Sequence, residues 1–353
     1  MDIVFLIVAF VIILFGAELF TNGIEWFGHK LKLAEGAVGS VLAAVGTALP
    51  ETMIPIIAIL FGTGDASHAV GIGAILGAPF MLATLAMFVT GVAVLAVARG
   101  RPSGSVMPVS TSVLAHDMRY FAIAYGLAVG VAFVPPDVVW PRYIAAALLL
   151  LIYAWYVRQH FKAEHGGGDA DLAPLRMRRF DRGATPDADS PRLRLVSLQV
   201  IVSLSLIIVG AVVFVGVVES LASSLGVSEV LLALIIAPIA TELPEKFNSV
   251  IWVRQGKDTL AMGNITGAMV FQSTIPTIVA LLFASSAWAI VPGSEIAFLS
   301  AGIAFLSSAA IFIPMARRGR LTGQNLLIGG LFYLVYLAIV IVQIMGDTAA
   351  AAH

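Results

Sequence analysis

Gly46-Thr47-Ala48-Leu49-Pro50-Glu51 and Ala240-Thr241-Glu242-Leu243-Pro244-Glu245 decide how this chain is read. Each stretch lies inside an apolar segment of membrane length, and each places a carboxylate one residue after a proline and four after a threonine. A carboxylate in hydrocarbon is expensive, and it is rare there unless it lines a pathway or binds something. Two in near-identical settings, 194 residues apart, point to a duplicated protein with a cation site between its halves. The composition agrees: 59% of the 353 residues are hydrophobic and 12% charged, against about 25% charged in an ordinary soluble domain. With no cysteine, disulfides, thiolate metal sites and thiol catalysis are excluded.

A helix of about 20 apolar residues crosses a bilayer. The pattern predicts ten spans: 3–27, 36–61, 68–97, 115–134 and 138–158, then 195–222, 229–253, 259–286, 289–314 and 323–345. Gly77-Ala78-Pro79 is expected to break or kink the long third span. The basic residues then alternate. Eighteen of the 20 Lys and Arg fall on one side, Arg142 on the other, and Lys246 within a span. The rich side is expected to be cytoplasmic, which puts both termini outside the cytoplasm. Met1-Asp2-Ile3 has no basic region before its apolar run, so the first span reads as retained rather than cleaved. Segment 161–193 is polar and Gly-rich, with Asp169, Asp171, Asp181, Asp187 and Asp189 among arginines. It reads as a solvated, flexible linker between halves 1–160 and 194–353; the alternative is a regulatory calcium site, though the spacing matches no helix–loop–helix calcium loop.

The halves align by eye. Gly16-Ala17 matches Gly210-Ala211, Glu25 matches Glu219, and Leu49-Pro50-Glu51 matches Leu243-Pro244-Glu245, all at an offset of 194. Gly73 to Ala78 matches Gly263 to Ala268 at 190. Five spans per half, an odd number, make the second half enter the membrane opposite to the first. The expected fold is therefore an all-α polytopic membrane protein of ten helices in two inverted five-helix repeats, an architecture of secondary transporters with a midplane site.

Proline inside a helix removes a backbone hydrogen bond, freeing the carbonyls of Gly46 and Ala240 and loosening those of Ala44 and Pro238. Thr47 and Glu51 share a helix face, as do Thr241 and Glu245. Carboxylates, hydroxyls and carbonyls are the oxygens a hard cation such as calcium takes. One such motif could be only a kink beside a protonated glutamate, but that reading does not account for the symmetric pair.

With these motifs the chain resembles the calcium/cation antiporter superfamily, nearest the prokaryotic sodium/calcium exchangers. That family has ten helices and two alpha repeats, here about 36–98 and 227–291, each with a Thr-Ser-Leu-Pro-Glu-like core and then a Gly-Asn-x-x-Gly-Ser-Asn-like core. The resemblance implies calcium extrusion against sodium by alternating access. It implies Glu51 and Glu245 as central ligands, assisted by Thr47, Thr241 and the carbonyls of Ala44 and Pro238. The chain departs from the pattern at Ala48 and Glu242, where the family has serine, and at Ala78 and Ala268. Leu82 and Gln272 occupy the later polar position, and the Gly-Asn asparagine survives only as Asn264, opposite Ala74. The family's flanking sodium sites use those groups, so proton coupling on the same fold is the nearest rival.

The second half has gained Glu242 and Lys246, four apart in the favourable order for an internal pair. Lys246 is expected to neutralise Glu242 at a cation position, or else to snorkel. Glu18, Asn22 and Glu25 share one face of span 1; Glu18 could gate ions, carry protons, or pack inward. Trp26, Trp140, Tyr153, Trp155 and Tyr156 read as interfacial belt residues. The expected partners are calcium, sodium or protons and the lipid bilayer of a prokaryotic inner membrane. No covalent cofactor and no nucleic acid are expected, and monomer and homodimer stay open. A cation channel or a non-transporting membrane protein is the reading from another class. An enzyme is disfavoured: no His-rich zinc site and no phosphate-binding Gly-x-x-x-x-Gly-Lys loop occurs.

Overall fold

The computed structural model describes residues 2–30, 49–62, 64–163, 173–180 and 191–351. Almost everything described is helix: α1 (Asp2–Lys30), α2 (Leu49–Leu60), α3 (Asp65–Met81), a π turn (Leu82–Ala86), α4 (Met87–Val97), α5 (Thr111–Gly130) and α6 (Trp140–Ala163). After the linker follow α7 (Leu193–Leu225), α8 (Glu229–Arg254), α9 (Asp258–Phe283), α10 (Glu295–Arg318) and α11 (Gly323–Ala351). Among the described residues, seven helical runs are long and apolar enough to cross a membrane, with α3, the π turn and α4 counting as one. Helices α2, α5 and α8 fall outside that set. The described part of α2 is short, α5 carries the charged Asp117 and Arg119, and the apolar run of α8 stops before Thr241-Glu242.

The packing of α1 on α7 has an internal symmetry. A Cβ on Gly16 would lie 2.9 Å from Ile207 Cγ1 and 3.1 Å from the Ser203 carbonyl. A Cβ on Gly210 would lie 2.6 Å from Ile13 Cγ1 and 3.1 Å from the Ala9 carbonyl. Every partner in the first set is its counterpart in the second plus 194, so the two glycines make the same contact in reverse. Small residues are what allow two membrane helices to approach this closely.

The third span corrects the expected break, though not the expected kink. The helix runs unbroken through Gly77-Ala78-Pro79, and the irregularity comes later, at the π turn. A π turn is wide and leaves carbonyls off the regular ladder. Here Ser307 Oγ of α10 donates to the Ala83 carbonyl at 2.6 Å, and Thr84 Oγ1 donates to the Phe80 carbonyl at 2.6 Å. Gly329 of α11 sits against the Thr84 carbonyl, where a Cβ would come within 2.4 Å.

The loops meet as the alternation requires. The two-residue strands β1 (Val106–Met107) and β2 (Leu321–Thr322) pair antiparallel, joining two loops expected on the basic side. At the opposite end Ile290 N–H donates to the Ala132 carbonyl. Arg142, the exception to the charge rule, is fully buried there. Its guanidinium donates to the carbonyls of Val134, Pro135, Val138 and Trp288 at 2.6–3.1 Å. It closes a helix end instead of facing solvent.

The linker is not wholly a flexible spacer. Residues 173–180 lie against α1 and α7 as a strap. Trp26 Nε1 donates to the Ala173 carbonyl at 2.9 Å, the Arg176 N–H to Asn22 Oδ1 at 2.9 Å, and the Met177 N–H to Gln199 Oε1 at 2.9 Å. Gln199 Nε2 also donates to the Leu19 carbonyl and to Asn22 Oδ1. Leu175 is buried with Trp26, Leu195 and Val196. The acidic residues of the calcium-site alternative lie outside the described residues.

Candidate functional site

Glu51 is buried in α2, at 6% exposure. The described part of α2 packs against α1, α3, α7, α8 and α9. One turn further on, Ile54, Ile57 and Ala58 enter a cluster with Val70 and Ala74 of α3, Phe214 and Val218 of α7, and Ala233 and Ala237 of α8. Ala237 is in turn one helical turn before Thr241. The two apolar walls that flank the proline–glutamate motifs are therefore one wall, and Glu51 lies at its edge.

On α8, Thr241 is buried and its hydroxyl donates to the Ala237 carbonyl at 3.0 Å, which leaves its oxygen lone pairs to accept or ligate. The helix is continuous through Pro238 and Pro244. What lets α8 approach is a glycine pair one turn apart on α3. A Cβ on Gly73 would come within 2.2 Å of the Val230 carbonyl. One on Gly77 would come within 2.3 Å of the Leu234 carbonyl and 2.8 Å of Pro238 Cγ. The second core motif of the first half thus abuts the turns of α8 that lead into the first core motif of the second half, backbone to backbone.

On α9, Gln272 is buried at 2% exposure with Ser273 and Thr274 beside it, and Asn264, earlier on the same helix, is half-buried. Ser273 and Thr274 hydroxyls return to the helix, donating to the Val270 carbonyl. In the first half the positions matching Asn264, Gln272 and Ser273 are Ala74, Leu82 and Ala83, all buried and apolar, as is Ala78. Thr84 matches Thr274 and is buried, with its hydroxyl turned back to the Phe80 carbonyl.

Glu18 corrects an expectation. It does not pack inward; its side chain is 61% exposed and pairs with Arg176 of the strap at 2.9 Å. Trp26 and Tyr156 are buried in the protein, while Trp140 and Trp155 are exposed on its surface. Ala44 and Thr47 lie outside the described residues, as do the side chains of Glu242, Glu245 and Lys246, including the expected Glu242–Lys246 pair.

Sequence reasoning missed Asp117. It lies in α5 at 1% exposure, accepts from Thr266 Oγ1 of α9 at 2.6 Å, and accepts from the Tyr156 hydroxyl of α6 at 3.1 Å. The signal was available, because Asp117 falls inside a predicted span and an intramembrane acid is a functional candidate by default. Arg119, two residues on, makes the same stretch read as a span edge.

A buried carboxylate among membrane-length helices that carry further buried oxygens is the arrangement of an ion-transporting membrane protein. Comparison with known proteins agrees. The sequence profile described as sodium/calcium exchanger protein matches residues 1–159 and 195–345, and the chain belongs to this family. It is 23% identical over 268 residues to the putative antiporter CaxA of Alkalimonas amylolytica, covering 76% of each chain. Its fold is similar to the crystal structure of the H+/Ca2+ exchanger CAX, with a TM-score of 0.71 at 14% identity over 99% of this chain and 88% of that one. It is also similar to the sodium-calcium exchanger NCX_Mj, with a TM-score of 0.55 at 17% identity over 96% and 97%. The chain is a multi-pass integral membrane protein of the cation exchanger family.

Proposed function

We propose that this chain is a secondary antiporter of a prokaryotic inner membrane that moves calcium, or a similar divalent cation, by alternating access, with protons as the counter-ion. The ion sits between the two proline–glutamate motifs. Glu51 and Glu245 supply the charge, Thr47 and Thr241 the hydroxyls, and Ala44 and Pro238 the carbonyls. The observation that carries the reading is Glu51 itself, a carboxylate buried among the helices on an element that touches both α8 and α9. The reversed contacts of Gly16 and Gly210 support two inverted halves, and hence ten crossings with a second glutamate opposite the first.

The counter-ion follows from what the first half lacks. A sodium site needs several oxygens, and Ala74, Ala78 and Leu82 are buried hydrocarbon. Carboxylates need no such set: a divalent cation leaves as the glutamates take up protons, so two carboxylates can exchange one calcium for two protons. Sodium coupling keeps one argument, the buried Gln272, Ser273 and Thr274 in the second half.

Calcium flux into proteoliposomes, driven first by a pH gradient and then by a sodium gradient, tests this. The proposal expects flux with the pH gradient alone. Flux that requires sodium would return the chain to sodium exchange. Flux that needs neither gradient and does not saturate would make it a channel.

A further inference from the structure

Away from the ion site, antiparallel helices α5 and α6 leave a groove of about 420 Å³ on the outer face of the bundle. Its two ends differ. His116, Arg119 and Tyr120 of α5 and Gln159 of α6 line one end. Ile123, Leu151 and Ile152 line the other, with Trp155 between them. The spacing puts His116, Arg119 or Tyr120, and Ile123 on one face of α5. Seven residues of helix separate His116 from Ile123, about 10 Å along the axis. The groove therefore grades from polar and basic near the helix ends to hydrocarbon toward the bilayer interior.

The charge at the polar end is of one sign. Arg119 lines the groove, and the Arg158 guanidinium sits 5.5 Å over the Trp155 ring at its edge. Among the described residues no carboxylate lines it. The nearest acid in sequence, Asp117, is turned into the bundle and held by Thr266 and Tyr156. Gln159 Nε2 donates to the Tyr120 hydroxyl at 2.9 Å, so the Tyr120 proton is left to donate in turn. Two guanidinium groups, a hydroxyl donor and an aromatic at the head of an apolar channel match an anionic phosphate ester with acyl chains attached. We propose that this groove binds an anionic phospholipid, with its phosphate at Arg119 and Tyr120 and its first acyl carbons against Ile123 and Leu151.

The back wall of the groove leads to the ion-binding helices. Tyr156 packs against Tyr120 at 5.3 Å and His116 at 6.2 Å between ring centroids. Its hydroxyl donates to Asp117, which accepts from Thr266 on α9, two residues from Asn264 and six from Gln272. A lipid that presses on the Tyr120–Tyr156 pair thus acts one hydrogen-bonded relay from α9.

The test measures binding directly, independent of any transport. The full chain, purified in nanodiscs of mixed phosphatidylglycerol and phosphatidylethanolamine, is transferred to detergent, and retained lipid is counted by native mass spectrometry. Wild type is expected to enrich phosphatidylglycerol. Arg119→Gln with Arg158→Gln is expected to lower that enrichment about 25-fold, roughly fivefold per arginine, whereas Arg254→Gln, on α8, leaves it unchanged. Ile123→Trp fills the apolar end with both arginines in place and is expected to lower it as well. All variants must stay monodisperse. Equal retention of the two lipids by wild type, or unchanged retention in the double variant, overturns the proposal. So does equally tight binding of soluble glycerol phosphate, which would make the groove a free-phosphate site.

Discussion

Gly77→Ala is the perturbation that most directly probes how α3 positions α8. The new methyl would lie 2.3 Å from the Leu234 carbonyl oxygen and 2.8 Å from Pro238 Cγ. Ordinary carbon–oxygen contact is about 3.3 Å, so α8 must retreat by about 1 Å. The obstacle is backbone, with no flexible side-chain end to swing aside. Overpacking of this kind costs about 1–3 kcal/mol, and a backbone clash sits at the upper end. The consequence for the proposed site is larger than for stability. Calcium–oxygen distances span only about 2.3–2.6 Å, and the displaced segment carries Pro238 and Thr241. A shift of about 1 Å removes at least one ligand, and calcium affinity is expected to fall about tenfold or more. Calcium concentration dependence of uptake, measured beside the melting temperature in detergent, reads both effects. Gly126→Ala and Gly216→Ala are the controls, because a Cβ at either meets nothing within 4 Å; each should stabilise its helix by up to about 1 kcal/mol. Wild-type affinity and wild-type melting in Gly77→Ala would refute the reasoning.

Three further outcomes are expected. Glu51→Gln keeps the shape and removes the charge, so calcium uptake should drop below about 1% of wild type, a barrier increase of about 3 kcal/mol, while melting changes little; retained uptake counts against Glu51 as a ligand. Gln199→Leu removes one hydrogen bond to the strap, from Met177, and two between α7 and α1, so the strap itself loses about 1 kcal/mol of local stability. Trypsin should then cut at Arg176–Arg179 about fivefold faster, and an unchanged rate would mean the strap is held elsewhere. Arg142→Met takes a donor from the buried Trp288 carbonyl and from the part-buried carbonyls of Val134, Pro135 and Val138 and should destabilise the protein by about 1–3 kcal/mol, read as a loss of melting temperature with no change in calcium affinity at low temperature.

Much of the helix pattern is legible in the sequence because hydrocarbon imposes a simple rule on length and composition. The described helices fall where the apolar runs fall, and the alternation of Lys and Arg anticipates which loops meet. Gly16, Gly73, Gly77 and Gly210 stand out in the repeat, and the structure gives the reason: each is a point where one backbone meets another helix. Position in a helix is a weaker guide to the direction of a side chain. Glu18 shares a predicted face with Asn22, but only Asn22 turns to the strap through buried bonds, while Glu18 reaches out to Arg176 at the surface. The strap itself is illegible because its polar composition resembles a solvated linker, and its docking depends on donors and acceptors contributed by α1 and α7. The π turn after Pro79 depends likewise on Ser307 and Gly329, far along the chain. Of the proposed site, the glutamates and Thr241 are legible as local motifs. Asp117 is legible only as an acid within a predicted span, since its partners on α6 and α9 come from elsewhere in the chain.

The central claim is that one divalent cation is shared between the two proline–glutamate motifs. Isothermal titration of calcium into the purified chain, wild type beside Glu51→Gln and Glu245→Gln, tests it most directly. The account predicts one calcium per chain in wild type and none in either variant. Two calcium ions in wild type, with one surviving in each variant, would contradict it.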